Sequence, residues 1–397
     1  MRTGSLRLRR LVGASAAAVL VSAAGAGAAA AKTFYVSPKG HDRGACTSKQ
    51  PCKTISFAVA KTRRGDTVKV AKGTYREDVT IARGIKLVGV GAPVINAVGA
   101  NGILITGAKS RGAVVGGFVV QHALDEGILA LQTSDVTIEQ NVVRRNDRGA
   151  KAANPTGECA AAGQVPGDCG EGLHLMTVTH STVQGNTVED NLGGILITDE
   201  FGPTAHNEIS LNTVLRNVAD CGITLAGHNT HAASVPSGAP NPSVGGVYDN
   251  KILDNVANGN GVKGQGGGIL LAAGAPGSAV YSNLVQGNTA NGNGLGGLTL
   301  HSHAPGQDLN GNRIINNSFS NDAVAGNGPG KPGDSDAGLK KTTGIILFSA
   351  LTKLKGTVVQ GNRLSDEYYG IWTQNVPAIK KSLNKFARTV KVPIHQQ

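Results

Sequence analysis

The chain has 397 residues, 57 of them Gly and 29 Asn, with 14 aromatics and a charged fraction of 16%; helical bundles need abundant Leu, Glu, Lys and Ala with few Gly, so that class is excluded. Gly keeps no three-residue period, which excludes collagen, and hydrophobic residues at 40%, recurring in short Val, Ile and Leu runs, argue against disorder. The formal net charge of +12 has no aromatics interleaved with it for base stacking, so it suits an acidic polymer or cell-wall glycan as partner, and not a nucleic acid.

Residues 1–31 read as a secretory signal. Arg2, Arg7, Arg9 and Arg10 form a basic start, Leu11 to Val21 is apolar, and Ala26 to Ala31 offers small residues for cleavage. Removing its four Arg from the 38 basic residues leaves 34 against 26 acidic, a mature balance of +8. No later run is long enough to span a bilayer. An extracellular monomer is expected. The five Cys fit an oxidising compartment. Local pairing suggests Cys46–Cys52 and Cys159–Cys169, with Cys221 left over; a metal site is the rival reading, but neither spacing is a CxxC knuckle.

Residues 32–83 read as a cap and first coil. Thr54 is placed to N-cap a short helix whose Ile55, Ala58 and Val59 share one face. From residue 84 to 397 a repeat takes over, in which Gly precedes alternating apolar residues. It starts at Gly102, Gly127, Gly172, Gly194, Gly222, Gly268, Gly297, Gly344 and Gly370, with spacings of 25, 45, 22, 28, 46, 29, 47 and 26 residues. The three long spacings equal one unit plus a loop of about 20 residues. A second element, Asn-x-apolar-x-x-Asn, recurs at Asn141/Asn146, Asn186/Asn191, Asn212/Asn217, Asn250/Asn255, Asn283/Asn288 and Asn312/Asn317, with weaker copies at Asn362 and Asn384.

Strands this short cannot form a stable hairpin sheet alone. Stacked at roughly 4.8 Å they form parallel sheets in which each unit pairs with its neighbours. Asn at a corner tolerates left-handed backbone geometry, and its amide can bond the same group one coil away. The Asn-Gly pairs at 258–259, 291–292 and 310–311 are then tight corners and not hairpins. The expected fold is all-β, a single-stranded right-handed parallel β-helix with an N-terminal capping helix. For the tail around Asn384-Lys385-Phe386 a last coil is favoured over a basic amphipathic helix.

From Phe34 onward the chain resembles the pectin-lyase-like superfamily, within it the bacterial right-handed β-helix repeat proteins. The N-terminal part carries most of the likeness: Phe34-Tyr35-Val36-Ser37-Pro38-Lys39-Gly40, Pro51-Cys52-Lys53-Thr54-Ile55, Gly65-Asp66-Thr67-Val68 and Gly73-Thr74-Tyr75. In such proteins this looks like an opening strand, a helix over the open end of the core, and the first coil. The Asn-Thr-Asp, Asp-Asp, His-Gly and Arg-Ile-Lys elements of polygalacturonase-like hydrolases are missing, as is the Asp-Pro of alginate-epimerase-like proteins. No catalytic residue of the superfamily carries over.

Candidate chemistry gathers on the Gly-bearing strand. Positions two and four after the Gly point outward and are expected to face solvent: His174, Thr198, Thr224, Thr299, His301 and Trp372. Segments 148–171, 320–343, 201–206 and 229–247 would wall this sheet into a groove. Glu200 and His228 occupy matching positions on adjacent coils, so Glu200 could orient His228 as a base; a solvated surface pair is the alternative. Asp199 would hold a cation (calcium, if one is used) or a sugar hydroxyl, or end a strand. His174, Thr224, His301 and His303 are candidate substrate contacts. His301 and His303 face one way but lack an evident third ligand, so no metal site is assigned. Three readings follow: a polysaccharide lyase acting by β-elimination on an acidic glycan, a non-catalytic glycan-binding or cell-surface scaffold, or an accessory spacer in an envelope assembly.

Overall fold

The computed structural model describes residues 30–147, 171–262, 266–324 and 341–397. The expected signal segment and the Cys159–Cys169 pair fall essentially outside these residues. Three sheets of 11, 14 and 11 strands run the length of the repeat. Every strand pairing is parallel and joins one coil to the next, as in Leu173↔Ile195, Ile195↔Ile223 and Ile223↔Ile269. The fold is the expected parallel β-helix.

The core is built of columns. On the Gly-bearing sheet Ile128, Leu173, Ile195, Ile223, Ile269, Leu298, Ile345 and Ile371 stack in register, each 0 or 1% exposed. Over most of their length the two short-stranded sheets each contribute one inward residue per strand, for example Val183, Ile209 and Ile252 in one and Val188, Val214 and Ala257 in the other. Each fully buried aliphatic of this kind is worth about 1.5–3 kcal/mol of transfer free energy. The repeated Gly has a steric cause. A Cβ on Gly172 would lie 2.4 Å from Cγ1 of Val188, and one on Gly194 would lie 2.1 Å from the Gly222 carbonyl oxygen. The sheet turns into the core too tightly there for any side chain.

The repeated Asn pairs resolve into three ladders, not one. Asn141, Asn186, Asn212, Asn255, Asn288, Asn317, Asn362 and Asn384 form a column of side-chain amide bonds at one corner. Asn146, Asn191, Asn217, Asn260 and Asn293 form a second, ending on Asp322. Asn207, Asn250, Asn283 and Asn312 form a third. Thus the pair Asn250/Asn255 spans the third and first ladders whereas Asn212/Asn217 spans the first and second, because every corner-to-corner segment has the same length. The left-handed backbone also sits elsewhere than expected. It falls on the residue before the ladder Asn, such as Arg216 (φ 52°), Asp254 (φ 53°) or Gly259 (φ 63°). The Asn itself keeps ordinary geometry and its amide faces inward.

At the N-terminal end the helix Ile55–Ala60 buries Ile55, Ala58 and Val59, and Thr54 accepts the Phe57 N–H in its cap. The Glu77 carboxylate accepts the N–H groups of Ile55 and Ser56, both at 2.8 Å, which adds favourable charge at the helix start. Cys46 and Cys52 form a disulfide beside this cap. The C-terminal tail is a last coil, with Lys385–Phe386 joining one short-stranded sheet and Val392–Gln396 the Gly-bearing sheet. Among the described residues no helix is long and apolar enough to cross a membrane.

Candidate functional site

Three successive coils leave the Gly-bearing sheet, loop outward and return to it. The departures lie between Thr198 and Thr204, Gly227 and Val247, and Ala273 and Val280. Residues 204–205, expected within a loop, therefore form sheet, pairing with Thr179 and with 247–248. The parallel ladder resumes on the far side of each bulge.

Asp199 opens the first bulge and is fully buried. Its Oδ1 accepts the N–H groups of His228 (2.7 Å) and Asn229 (3.1 Å), and its Oδ2 that of Gly246. It clasps both ends of the second bulge. This replaces the expected cation or sugar-hydroxyl role, since its oxygens are committed to backbone donors and closed to solvent. Burial, opposed by those three donors and by the charge of His228, leaves its carboxyl raised to about 6. At neutral pH it is ionised, as three donors require.

Glu200 and His228 are brought together. Oε1 of Glu200 lies 2.7 Å from Nδ1 of His228, with side-chain exposures of 17% and 12%. Burial alone would raise the Glu200 carboxyl. The His228 hydrogen bond, the charges of His174 and His228 and the Thr198 hydroxyl outweigh it and hold the group at about 2. A carboxylate on Nδ1 favours the tautomer protonated there and makes Nε2 the basic nitrogen.

The contacts continue inward. The Thr198 hydroxyl donates to Oε2 of Glu200, and Nε2 of His174 lies 2.8 Å from the same hydroxyl oxygen. Nδ1 of His174 lies 3.3 Å from Oε1 of Glu126. A polar chain thus runs from the half-buried His228 through Glu200, Thr198 and His174 to Glu126, spanning four successive coils.

The expected solvent-facing positions point away from the core as anticipated but are covered. His174 is 1% exposed, Thr224 3%, Thr299 1% and Trp372 2%. Trp372 packs with Ile346 and Phe348 in a separate apolar cluster on the outside of the sheet. Alternation along a strand sets direction, and only the surrounding segments decide exposure. His301 and His303 are half-buried, hydrogen-bond one another, and stand two coils beyond His228. Sequence reasoning missed Glu126 and Glu171. Their signal was present: each immediately precedes the repeat Gly on consecutive coils, in Glu126-Gly127 and Glu171-Gly172.

The coil geometry defines the class: the chain is a parallel β-helix repeat protein. More particularly, the profile of the family described as NosD, periplasmic copper-binding protein, matches residues 61–258, just under half of the chain. No curated protein matches it. Among solved structures it is similar to the lacto-N-biosidase of family GH136 from Eubacterium ramulus, at 11% identity over 92% of this chain and 68% of that one, TM-score 0.50. It is also similar to the A-module of mannuronan C-5 epimerase AlgE4 from Azotobacter vinelandii, at 14% identity over 86% and 92% of the two chains, TM-score 0.49. An alginate lyase from Paenibacillus sp. shares 11% identity over 92% and 98%, TM-score 0.46. At such identities the likeness is one of fold.

Proposed function

We propose that this chain, exported by way of a signal in residues 1–31, binds an acidic polysaccharide along the bulged margin of its Gly-bearing sheet and cleaves it by β-elimination. The observation that carries the reading is the Glu200–His228 pair, a carboxylate 2.7 Å from an imidazole at the only partly covered end of a buried polar chain. In this reading Nε2 of His228 removes the proton beside the uronate carboxylate, and Glu200 holds the ring and stabilises the imidazolium that forms. Asp199 positions His228 through its backbone N–H. His301 and His303, roughly 10 Å further along by strand spacing, would contact a neighbouring sugar. The Cys46–Cys52 disulfide is in keeping with an oxidising compartment.

The scaffold reading has its own support. The outward floor of the sheet is closed at Thr224 and Trp372, which favours binding along the margin over a deep cleft. The two separate on one assay. Pectin, alginate and glycosaminoglycans are incubated with the protein, with and without calcium, while unsaturated-uronate absorbance is followed. Turnover is expected, falling by about 10²-fold or more in His228→Ala. Binding without product across the panel establishes the scaffold; neither binding nor product overturns both.

A further inference from the structure

We infer that Glu126, Glu171 and His174 form a buried binding site for one divalent transition-metal ion. The three come from two consecutive coils: Glu126 precedes Gly127, and Glu171 and His174 flank Gly172 on the next strand. All are no more than 1% exposed, and one ligand atom from each lies within 4.8 Å of the others.

Hydrogen-bond direction argues for a cation there. The Thr198 hydroxyl gives its proton to Glu200, so its oxygen accepts from Nε2 of His174. With Nε2 donating, an imidazole that carries no second proton aims the bare lone pair of Nδ1 at a carboxylate oxygen 3.3 Å away. Two acceptors facing each other in a space closed to water repel unless a cation lies between them. The second oxygen of Glu126, Oε2, is buried without a hydrogen-bond partner among the described residues. Tetrahedral ligands about 2.0–2.2 Å from a metal stand roughly 3.3–3.6 Å apart, which the 3.3 Å between Nδ1 of His174 and Oε1 of Glu126 matches.

The donors choose the class of ion. One imidazole nitrogen with two carboxylates suits Zn²⁺, Mn²⁺ or Cu²⁺. Ca²⁺ and Mg²⁺ take all-oxygen shells, and Cu⁺ favours thiolate and thioether. A metal on Nδ1 also fixes the Nε2–H tautomer and with it the Thr198–Glu200 contact, which makes His174 a positioning residue for the site above.

The experiment strips the full chain with a chelator, reloads it with Zn²⁺, and measures bound metal by elemental analysis and affinity by competition. His301→Ala with His303→Ala serves as background, to remove the half-buried histidine pair. One Zn²⁺ per chain is expected, weakened about 100-fold or more by Glu126→Gln or His174→Phe. A second measurement is independent of variants that fail to fold: Zn²⁺, Mn²⁺ or Cu²⁺ raises the Tm of the stripped protein, and Ca²⁺ does not. No uptake, uptake unchanged in folded variants, or a Tm shift with Ca²⁺ alone overturns the site and leaves a proton shared by His174 and Glu126. None of these readouts involves a glycan, so a failed lyase assay and a failed metal titration are distinguishable.

Discussion

Asp199 and Glu200 are adjacent in the chain and serve opposite ends. Asp199 turns into the bulge and takes three backbone donors, whereas Glu200 turns out to the imidazole. Replacing Asp199 by Ala leaves three N–H groups without their acceptor, and a charged acceptor of this kind is worth about 1.5–3 kcal/mol per bond, so a loss of roughly 3 kcal/mol or more is expected. Asp199→Asn keeps one oxygen and loses less. Urea denaturation measures both; an unchanged midpoint in Asp199→Ala would mean the bulge is held by other contacts.

The strands are three residues long over most of two sheets, too short to specify register by themselves. The ladders supply it. Asn255 accepts the N–H and the side-chain amide of Asn212 at 2.9 and 3.0 Å, and donates to the Ile209 carbonyl and to Asn288. Asn255→Ala removes all four interactions in a fully buried corner, where about 1–3 kcal/mol attaches to each group left unsatisfied. Asn384→Ala, at the end of the same ladder, strands fewer partners. Thermal or denaturant melts should show Asn255→Ala as the costlier by about 2 kcal/mol or more. Equal losses would show that the ladders add little beyond the strand pairing.

A solenoid is stabilised by contacts between neighbouring coils, so its ends can differ from its middle. Here the second ladder ends in acids: Asn293 donates to Asp322, whose N–H goes to Glu367. Burial and then the charge of Asp322 raise the Glu367 carboxyl to about 9. The folded chain therefore keeps a proton that the unfolded chain releases near 4.5, and stability falls as pH rises from 4.5 toward 9. Glu367→Gln keeps an oxygen for the Asp322 N–H and removes this loss. Its Tm should exceed that of the parent at pH 8 and equal it at pH 4; parallel curves at both pH values would contradict the buried-acid account.

The repeat of Gly and Asn determined the architecture by itself, because a side-chain-free position and a self-pairing amide recur only where successive coils meet at one point. The capping helix was legible for a similar reason, since Thr54, Ile55, Ala58 and Val59 interact within one turn. The partnership of Glu200 with His228 followed from equal offsets on adjacent strands. What the chain order could not convey was which side of a closed surface each outward residue meets. His174 and Trp372 alternate correctly and still lie buried, and Asp199 spends its charge on backbone amides 29 to 47 residues away. Tertiary structure decided these points, because burial depends on segments whose paths are set by the loops and not by the period of the strand.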